Sequence, residues 1–400
     1  MNVVIATDLY YPTLGGICVA TDQLAHQLAK RGHHVSLIAP SVSFKSHQEP
    51  ISPHFTIYRI GSFMLVRKKG IRYAFDRNAV RSTIESVKPD IIHIMTTGPG
   101  VIGPTCLKIA KKKNIPVVAT SHVIAENIVA PLHHLPNFIE NNLGIIAMKY
   151  LKNFYQRADH MIAPSGAAAE HLRKLGISGP ITVISNGLYL DKFINSDSSV
   201  LEGLKNRLNL SENSPVILYV GRFDKEKGVD LLFKAFLKLQ STSDAQLLLV
   251  GKGIEEERLR KFVEKNHLSK SIIFAGFLSD DEMPAIYHLS DIFVMPSNVE
   301  LQSIATLEAM AVKLPVVGAN AMALPYLIHD GENGFLFKPN DSSDLENKLQ
   351  ILVSDPELRI KMGQRSFDYV QEHAMEHVIL KFEALYQSLI AKNASQAHIA

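Results

Sequence analysis

The stretch Val216-Ile217-Leu218-Tyr219-Val220-Gly221-Arg222-Phe223-Asp224-Lys225-Glu226-Lys227-Gly228 decides the fold. Its first five residues are apolar without alternation, the mark of a strand buried on both faces. A charged loop bounded by two glycines follows, and Val229–Leu239 then repeats apolar residues at helical spacing. Strand, loop and helix in that order form half of a βαβ unit. The sheet is therefore parallel, and the loop lies at the carboxyl end of a strand, where open α/β sheets take their ligands.

The same alternation runs in both directions. Downstream, strands are expected at Gln246–Gly251, Ile272–Ala275, Ile292–Met295 and Pro315–Gly318, with helices at Glu255–Asn266, Asp281–Leu289, Ile304–Val312 and Asp344–Val353. Upstream lies a second series. Its strands are Val3–Thr7, Val35–Ile38, Phe55–Ile60, Ile91–Met95, Pro116–Thr120 and His160–Ala163, and its helices Ala20–Lys30, Ala79–Val87, Ile102–Lys112, Gly144–Gln156 and Ala167–Leu175. The pattern predicts an α/β protein of two Rossmann-like domains in tandem. Residues 1–178 form the first and 179–372 the second, with the boundary near Ser178-Gly179-Pro180. Residues 373–400 are expected to form an amphipathic helix that packs back on the first domain.

Length and composition agree. The 400 residues exceed what one core usually spans, and 46% hydrophobic against 20% charged residues argues against disorder. No apolar run is long enough to cross a bilayer as a helix. Met1-Asn2 and the short run ending before Asp8 do not make a signal peptide, and Cys18 and Cys106 are too few for a disulfide framework, so a cytoplasmic protein is expected. The net charge of +3 hides an asymmetry: residues 1–178 hold 20 Lys/Arg against 10 Asp/Glu, and the remainder 22 against 29. A basic first half suits an anionic partner, or else attraction between unlike halves. The basic excess lacks the aromatic interleaving of a nucleic-acid module, so no nucleic acid is expected.

Three segments carry chemistry. Gly15-Gly16 opens the first helix without the G-x-G-x-x-G spacing of a dinucleotide site, and no Walker A sequence is present. Its bare backbone suits either a phosphate at a helix start or a tight turn. Arg222 and Lys227, in the loop quoted above, suit a diphosphate: Arg forks two oxygens and Lys adds a point charge. The interleaved Asp224 and Glu226 allow a solvated charge run instead. Third, Ser297–Ala311 follows a strand and starts a helix near Ser303, so the N–H groups of Leu301, Gln302, Ser303 and Ile304 lie at its positive end. Glu300 sits in that loop, as a sugar ligand or a helix-dipole partner. Glu308 sits inside the helix among Leu307, Ala309 and Met310, where a buried acid needs a partner.

The set G-G, G-R-x-x-x-E-K-G and E-x7-E, closed by Leu307-Glu308-Ala309-Met310-Ala311, resembles the family-4 retaining glycosyltransferases of GT-B fold. Asn186–Phe193 is similar to their N-G-V-D-x-x-x-F segment and Asp330–Leu336 to their D-G-x-N-G turn. The resemblance spans essentially the whole chain. It implies a nucleotide-sugar donor (UDP-glucose or GDP-mannose) and no further cofactor or metal. It also implies catalytic roles for His122, Arg222, Lys227 and Glu300, and donor binding by Gly15, Gly16, Gly251, Leu278, Leu301, Gln302, Ser303, Ile304 and Glu308. Within it, the backbone at Gly16 meets the diphosphate, the two cations neutralise the leaving nucleoside diphosphate, Glu300 contacts the sugar and Glu308 holds the ribose. Gln302 and Ser303 stand where Phe and Gly are commoner, which is closer to the E-T-Q-G of diacylglycerol glucosyltransferases. Thr120-Ser121-His122 stands where T-Y-H is commoner.

The acceptor is read from the first domain. Phe63-Met64-Leu65-Val66 runs into Arg67, Lys68, Lys69 and Arg72, and Gly144–Arg157 carries Lys149, Lys152 and Arg157. Apolar residues beside cations suit an anionic membrane surface, and the alternative is core residues with solvated cations. His133-His134 lacks a third ligand at metal spacing. The expectation is hexose transfer to a membrane lipid such as diacylglycerol or a phosphoinositide, by a protein peripheral on the inner face of the membrane. The alternatives are a soluble acceptor, a nucleotide-sugar epimerase, or a silent binding module.

Overall fold

A computed structural model describes residues 1–13, 16–66, 71–96, 100–122 and 137–397. The chain divides into two compact units. One comprises Met1–Gly187 with Glu376–Ala400, and the other Leu188–Met375.

In the first unit the elements are β1 (Asn2–Thr7), α1 (Gly16–Lys30), β2 (His34–Pro40), β3 (His47–Ser52), β4 (Phe55–Ile60), β5 (Ser62–Val66), β6 (Ile71–Ala74), α2 (Arg77–Val87), β7 (Ile91–Thr96), α3 (Ile102–Lys113), β8 (Val117–Thr120), α4 (Asn137–Tyr155), β9 (His160–Ala163), α5 (Gly166–Lys174) and β10 (Ile181–Val183). Eight of these strands form one sheet in the order β10-β9-β8-β7-β1-β2-β4-β3. All its pairings are parallel except that of β3 with β4. The central strands are continuous apolar runs because both faces are covered, and β1 is buried from Val3 to Thr7. The edge strand β3, His-Gln-Glu-Pro-Ile-Ser, is mostly exposed, and its proline and charge blunt the edge. At the other edge, Ile181 of β10 pairs with Met161 of β9. The first unit therefore runs one strand past the expected Ser178/Gly179 boundary.

The last helix, Met375–Ala397 (α14 once the helices of the second unit are counted), serves the first unit. Val378, Ile379, Phe382 and Tyr386 join the core around Val3, Ile5, Leu24, Leu28 and Leu37. His93, fully buried on β7, is hydrogen-bonded to Tyr386 Oη at 2.6 Å and to Thr120 Oγ1 at 2.6 Å. Glu383 Oε1 accepts from Arg31 Nε at 2.7 Å and lies 2.8 Å from His33 Nε2.

In the second unit, α6 (Asp191–Ile194) and α7 (Ser198–Leu208) lead into β11 (Val216–Val220), α8 (Val229–Leu239), β12 (Gln246–Val250), α9 (Glu256–Lys265), β13 (Ile272–Gly276), α10 (Glu282–His288), β14 (Ile292–Met295), α11 (Ile304–Ala311), β15 (Val316–Ala319), β16 (Gly334–Phe337), α12 (Ser342–Ser354) and α13 (Pro356–Val370). The sheet order is β13-β12-β11-β14-β15-β16, parallel throughout. The order reverses between β11 and its two neighbours, so the loops after β11 and β14 leave adjacent strands at the switch point where such sheets bind ligands. The chain enters and leaves this unit side by side: Leu188 N–H donates to the His373 carbonyl and Met375 N–H to the Leu188 carbonyl, each at 2.9 Å.

Candidate functional site

The chemistry gathers at the carboxyl ends of β11, β12 and β14. The quoted loop turns through a 3-10 turn at Lys225–Lys227 and reaches α8 at Gly228, whose φ is +71°. A Cβ there would lie 2.6 Å from the Pro296 carbonyl oxygen, so only glycine lets the β11 and β14 loops approach this closely. Gly251, at the end of β12, is equally constrained: φ is +131°, and a Cβ would lie 2.0 Å from the Gly221 carbonyl oxygen. The glycines thus draw three loops onto one spot.

That approach brings the predicted residues together. Lys227 Nζ donates to Glu300 Oε1 at 2.6 Å, and both side chains are largely buried. Arg222 is half exposed; its Nη1 donates to Asp224 and its Nη2 to Glu226 Oε1 at 2.9 Å. The interleaved acids are therefore the partners of the arginine. Tyr219, fully buried on β11, donates its hydroxyl to the Arg222 carbonyl at 2.9 Å and fixes the start of the loop. Burial holds that phenol well above its ordinary range. Sequence reasoning gave Tyr219 no role, although a phenol in a dry strand must find a partner at the strand's end.

Ser303 is the N-cap of α11. Its side chain is buried, and its Oγ accepts from Thr306 N at 3.4 Å and Thr306 Oγ1 at 2.8 Å. It adopts φ −89° and ψ 95°, which any residue can take, so glycine is not required here. Leu301 and Gln302 lie in the preceding loop and Ile304 opens the helix. Inside α11, Glu308 Oε2 accepts from Tyr287 Oη at 2.6 Å. Burial lifts the Glu308 carboxyl to about 7, against the opposing hydrogen bond from Tyr287 and the charge of Lys192. Asn298, not anticipated from sequence, has a buried Oδ1 with no hydrogen-bond partner among the described residues, while its Nδ2 donates to Asn340 Oδ1 at 2.9 Å. Leu278 was expected at the donor. Its side chain packs into the core of the second unit, and it is Phe277 that is 66% exposed beyond β13.

The first unit holds the remaining predicted residues. Gly16 begins α1, is exposed, and is not among the glycines with positive φ. A Cβ at Gly16 would meet nothing within 4 Å. The approach to this helix is braced by Arg59, which stacks over Tyr10 at 5.2 Å and donates to the Tyr11 carbonyl at 2.8 Å. His122 follows β8, and its Nε2 is buried with no partner among the described residues. Burial lowers it to about 4, so the ring is neutral at physiological pH. Arg72 donates through Nε to Ser62 Oγ at 2.8 Å and through Nη2 to the Val42 carbonyl at 2.7 Å, which ties its guanidinium into the β5–β6 hairpin rather than leaving it as a free surface cation. Gly15, Arg67, Lys68, Lys69, His133 and His134 lie outside the described residues. On that hairpin, Phe63 and Met64 are 38% and 46% exposed, and Phe75 and Phe44 near it are 42% and 71% exposed. Among the described residues no group of three His, Cys, Asp or Glu is placed to hold a metal ion, and no helix is long and apolar enough to cross a membrane.

Comparison with known proteins assigns the family. The Glycosyltransferase Family 4 model matches residues 14–192, and the glycosyl transferases group 1 model matches residues 202–368. The alpha-monoglucosyldiacylglycerol synthase of Acholeplasma laidlawii is 28% identical, over 98% of each chain. The N-acetyl-alpha-D-glucosaminyl L-malate synthase of Bacillus anthracis is 24% identical, over 95% of this chain and 96% of its own. Among solved structures, Anabaena HepE in complex with UDP-glucose superimposes with a TM-score of 0.74 at 18% identity, over 96% of this chain and 99% of its own. With two parallel-sheet units in series and both family models matched in order, the chain belongs to the family-4 glycosyltransferases and has the GT-B fold.

Proposed function

We propose that this glycosyltransferase moves a hexose from a nucleotide sugar, UDP-glucose or GDP-mannose, to a membrane lipid such as diacylglycerol or a phosphoinositide, with retention at the sugar. The observation that carries the donor half is the buried Lys227–Glu300 pair at the carboxyl end of β11, with Arg222 beside it. Lys227 and Arg222 neutralise the diphosphate as the glycosidic bond breaks, which needs no metal ion in this reading. Arg222, itself half exposed, exchanges its pairs with Asp224 and Glu226 for charge-assisted bonds to a diphosphate, worth roughly 1.5–3 kcal/mol each. Glu300, fixed by Lys227, accepts from donor-sugar hydroxyls, and Glu308 accepts from the ribose. The N–H groups at the start of α11 face a phosphate, as does the backbone at Gly16. The loop backbones at Gly251 and Leu278 lie near the base. His122, neutral at physiological pH, serves a sugar hydroxyl as a hydrogen-bonding group and not as a charge. The acceptor hydroxyl attacks from the face the phosphate leaves, and the departing phosphate takes its proton.

The lipid half rests on the exposed Phe44, Phe63, Met64 and Phe75, on the basic sequence Arg67-Lys68-Lys69, and on the glucosyldiacylglycerol relative. It implies a peripheral protein on the inner face of the membrane. A soluble acceptor is the second reading, supported by the relative named for L-malate and by the engagement of Arg72 with Ser62 and the Val42 carbonyl. The test incubates the protein with labelled UDP-glucose or GDP-mannose and anionic liposomes of bacterial lipid extract, then partitions the label. Donor-dependent label in the organic phase is expected. Label that stays in water, with nucleoside diphosphate released only on adding a cytosolic extract, would replace the lipid reading by the soluble one.

A further inference from the structure

Tyr287 has no exposed surface. Its ring lies edge-on to Phe193 (5.9 Å between centroids, 74° between planes) and tilted against Phe293 (6.1 Å), so its hydroxyl has one direction to point. That direction is Glu308 Oε2, at 2.6 Å. Burial beside the carboxylate holds the phenol well above its ordinary range, so it stays a donor at any physiological pH. Glu308 projects from a helix otherwise written Ile-Ala-Thr-Leu-Ala-Met-Ala, which offers its carboxylate no other anchor. The remaining charged groups that act on it are Lys192 of α6 and Asp280 ahead of α10, which lie 4.0 Å apart and oppose each other.

We propose that Tyr287 is the positioning residue of the ribose site: by holding Oε2 it fixes the orientation and charge of Glu308, leaving Oε1 to accept from the ribose hydroxyls. This rests on the ribose role given to Glu308 above. A carboxylate accepts from a hydroxyl, whereas a protonated carboxyl offers a competing donor. With burial pushing Glu308 to about 7, the Tyr287 hydrogen bond decides how much of it is ionised near neutrality. Loss of that bond both frees the rotamer and neutralises the acid. The consequence is selectivity: discrimination of ribo- from 2′-deoxyribonucleotides depends on a residue that does not touch the sugar.

The experiment titrates UDP, GDP and their 2′-deoxy forms into the full chain between pH 5.5 and 8.5 by calorimetry, for wild type, Tyr287→Phe, Glu308→Gln and the double variant. Wild type is expected to bind the ribonucleotide more tightly as pH rises through about 7. Tyr287→Phe keeps the ring, so its melting is expected to stay cooperative. It should bind about 10-fold more weakly at pH 7, with its midpoint moved up by about one unit, and lose much of its ribo-to-deoxyribo preference. Added to Glu308→Gln, it should cost nothing further. If Tyr287→Phe does not fold, Glu308→Asp, which shortens the acid away from the phenol, should show the same loss of preference. An unmoved midpoint and unchanged preference, while Glu308→Gln still weakens binding, would overturn the role of Tyr287. Wild-type affinity in Glu308→Gln would instead overturn the ribose reading itself.

Discussion

The carboxyl-end loops of the two units handle polarity in opposite ways. In the second unit the chemistry-bearing side chains are charged, drawn inward and matched: Lys227 to Glu300, Arg222 to Asp224 and Glu226, Glu308 to Tyr287. In the first, apart from the buried carboxylate of Asp8 after β1, the groups at issue are uncharged: His122, whose Nε2 has no partner among the described residues, and the exposed Phe44, Phe63, Met64 and Phe75. A polyanionic leaving group is served by preorganised charge in a partly dry site, where a fixed cation does more than in water. A greasy acceptor is served by apolar surface. The contrast matches what the proposed donor and lipid-acceptor roles would require, and each side of it can be attacked separately.

The largest effect is expected from Lys227→Ala. In the proposed reading it removes one of the two cations that meet the diphosphate, and it leaves Glu300 without its partner. Turnover should fall about 10²–10³-fold in a steady-state transfer assay, comparable to loss of one oxyanion donor. Arg222→Ala should fall less, since that guanidinium is half exposed. Near-normal turnover in both variants would remove the charge argument from the second unit.

The two units should also answer acid with opposite sign. His93, held near 3, and His122, near 4, are neutral in the folded first unit, whereas an unfolded histidine takes its proton near 6.5. Below 6.5 the unfolded chain binds the extra protons. The first unit therefore loses stability as pH falls, by about 1.4 kcal/mol per pH unit for each histidine until its folded value is reached. Glu308 is held near 7 against an ordinary 4.5, so between those values the folded second unit binds the extra proton and gains stability as pH falls. Hydrogen exchange of the β1–β2 and β11–β12 peptides, corrected for intrinsic pH dependence and followed from pH 6.5 to 4.5, reads both slopes. Parallel slopes would mean that these buried groups do not dominate. In the variant His93→Gln the slope of the first unit should flatten.

A third effect is smaller and belongs to the first unit alone. Phe63→Ser and Met64→Ser should each weaken binding to anionic vesicles by about 10-fold or less, below the roughly 1.5–3 kcal/mol of full burial because less than half of each side chain is exposed to begin with, and leave the melting temperature unchanged. Phe277→Ser, which removes the exposed ring of the second unit, should leave vesicle binding as it was. Equal losses from both units would erase the distinction between donor and acceptor halves.

What could be read from sequence follows the same division. The two parallel sheets were legible because their central strands are unbroken apolar runs, and so were Arg222, Lys227, Glu300 and Glu308, because charge stands out beside such strands. β3 was not, since an exposed edge strand of polar residues carries no hydrophobic period, and neither was the pairing of β5 with β6 within the apolar and basic stretch. β10, three residues long and only partly buried, hid the true end of the first unit. Pairings were the least legible. Tyr287 and Glu308 meet across two helices, and Arg72 is engaged by Val42, thirty residues earlier in the chain; no local pattern encodes either contact.

Ser303 is where the smallest effect lies and where the resemblance is least close. Glycine is commoner at this position, yet the serine side chain turns inward to cap α11 and to receive the Thr306 hydroxyl. Ser303→Gly should therefore lower the stability of the second unit by only a few tenths of a kcal/mol, because glycine is a tolerable N-cap, and Ser303→Ala by about 1 kcal/mol. Neither removes a backbone N–H from the helix start, so the donor KM should move less than twofold in both. A large rise in KM for Ser303→Ala with normal stability would mean that the hydroxyl itself reaches the donor, and the site of this chain would then differ from that of glycine-bearing relatives in its contacts as well as in its cap.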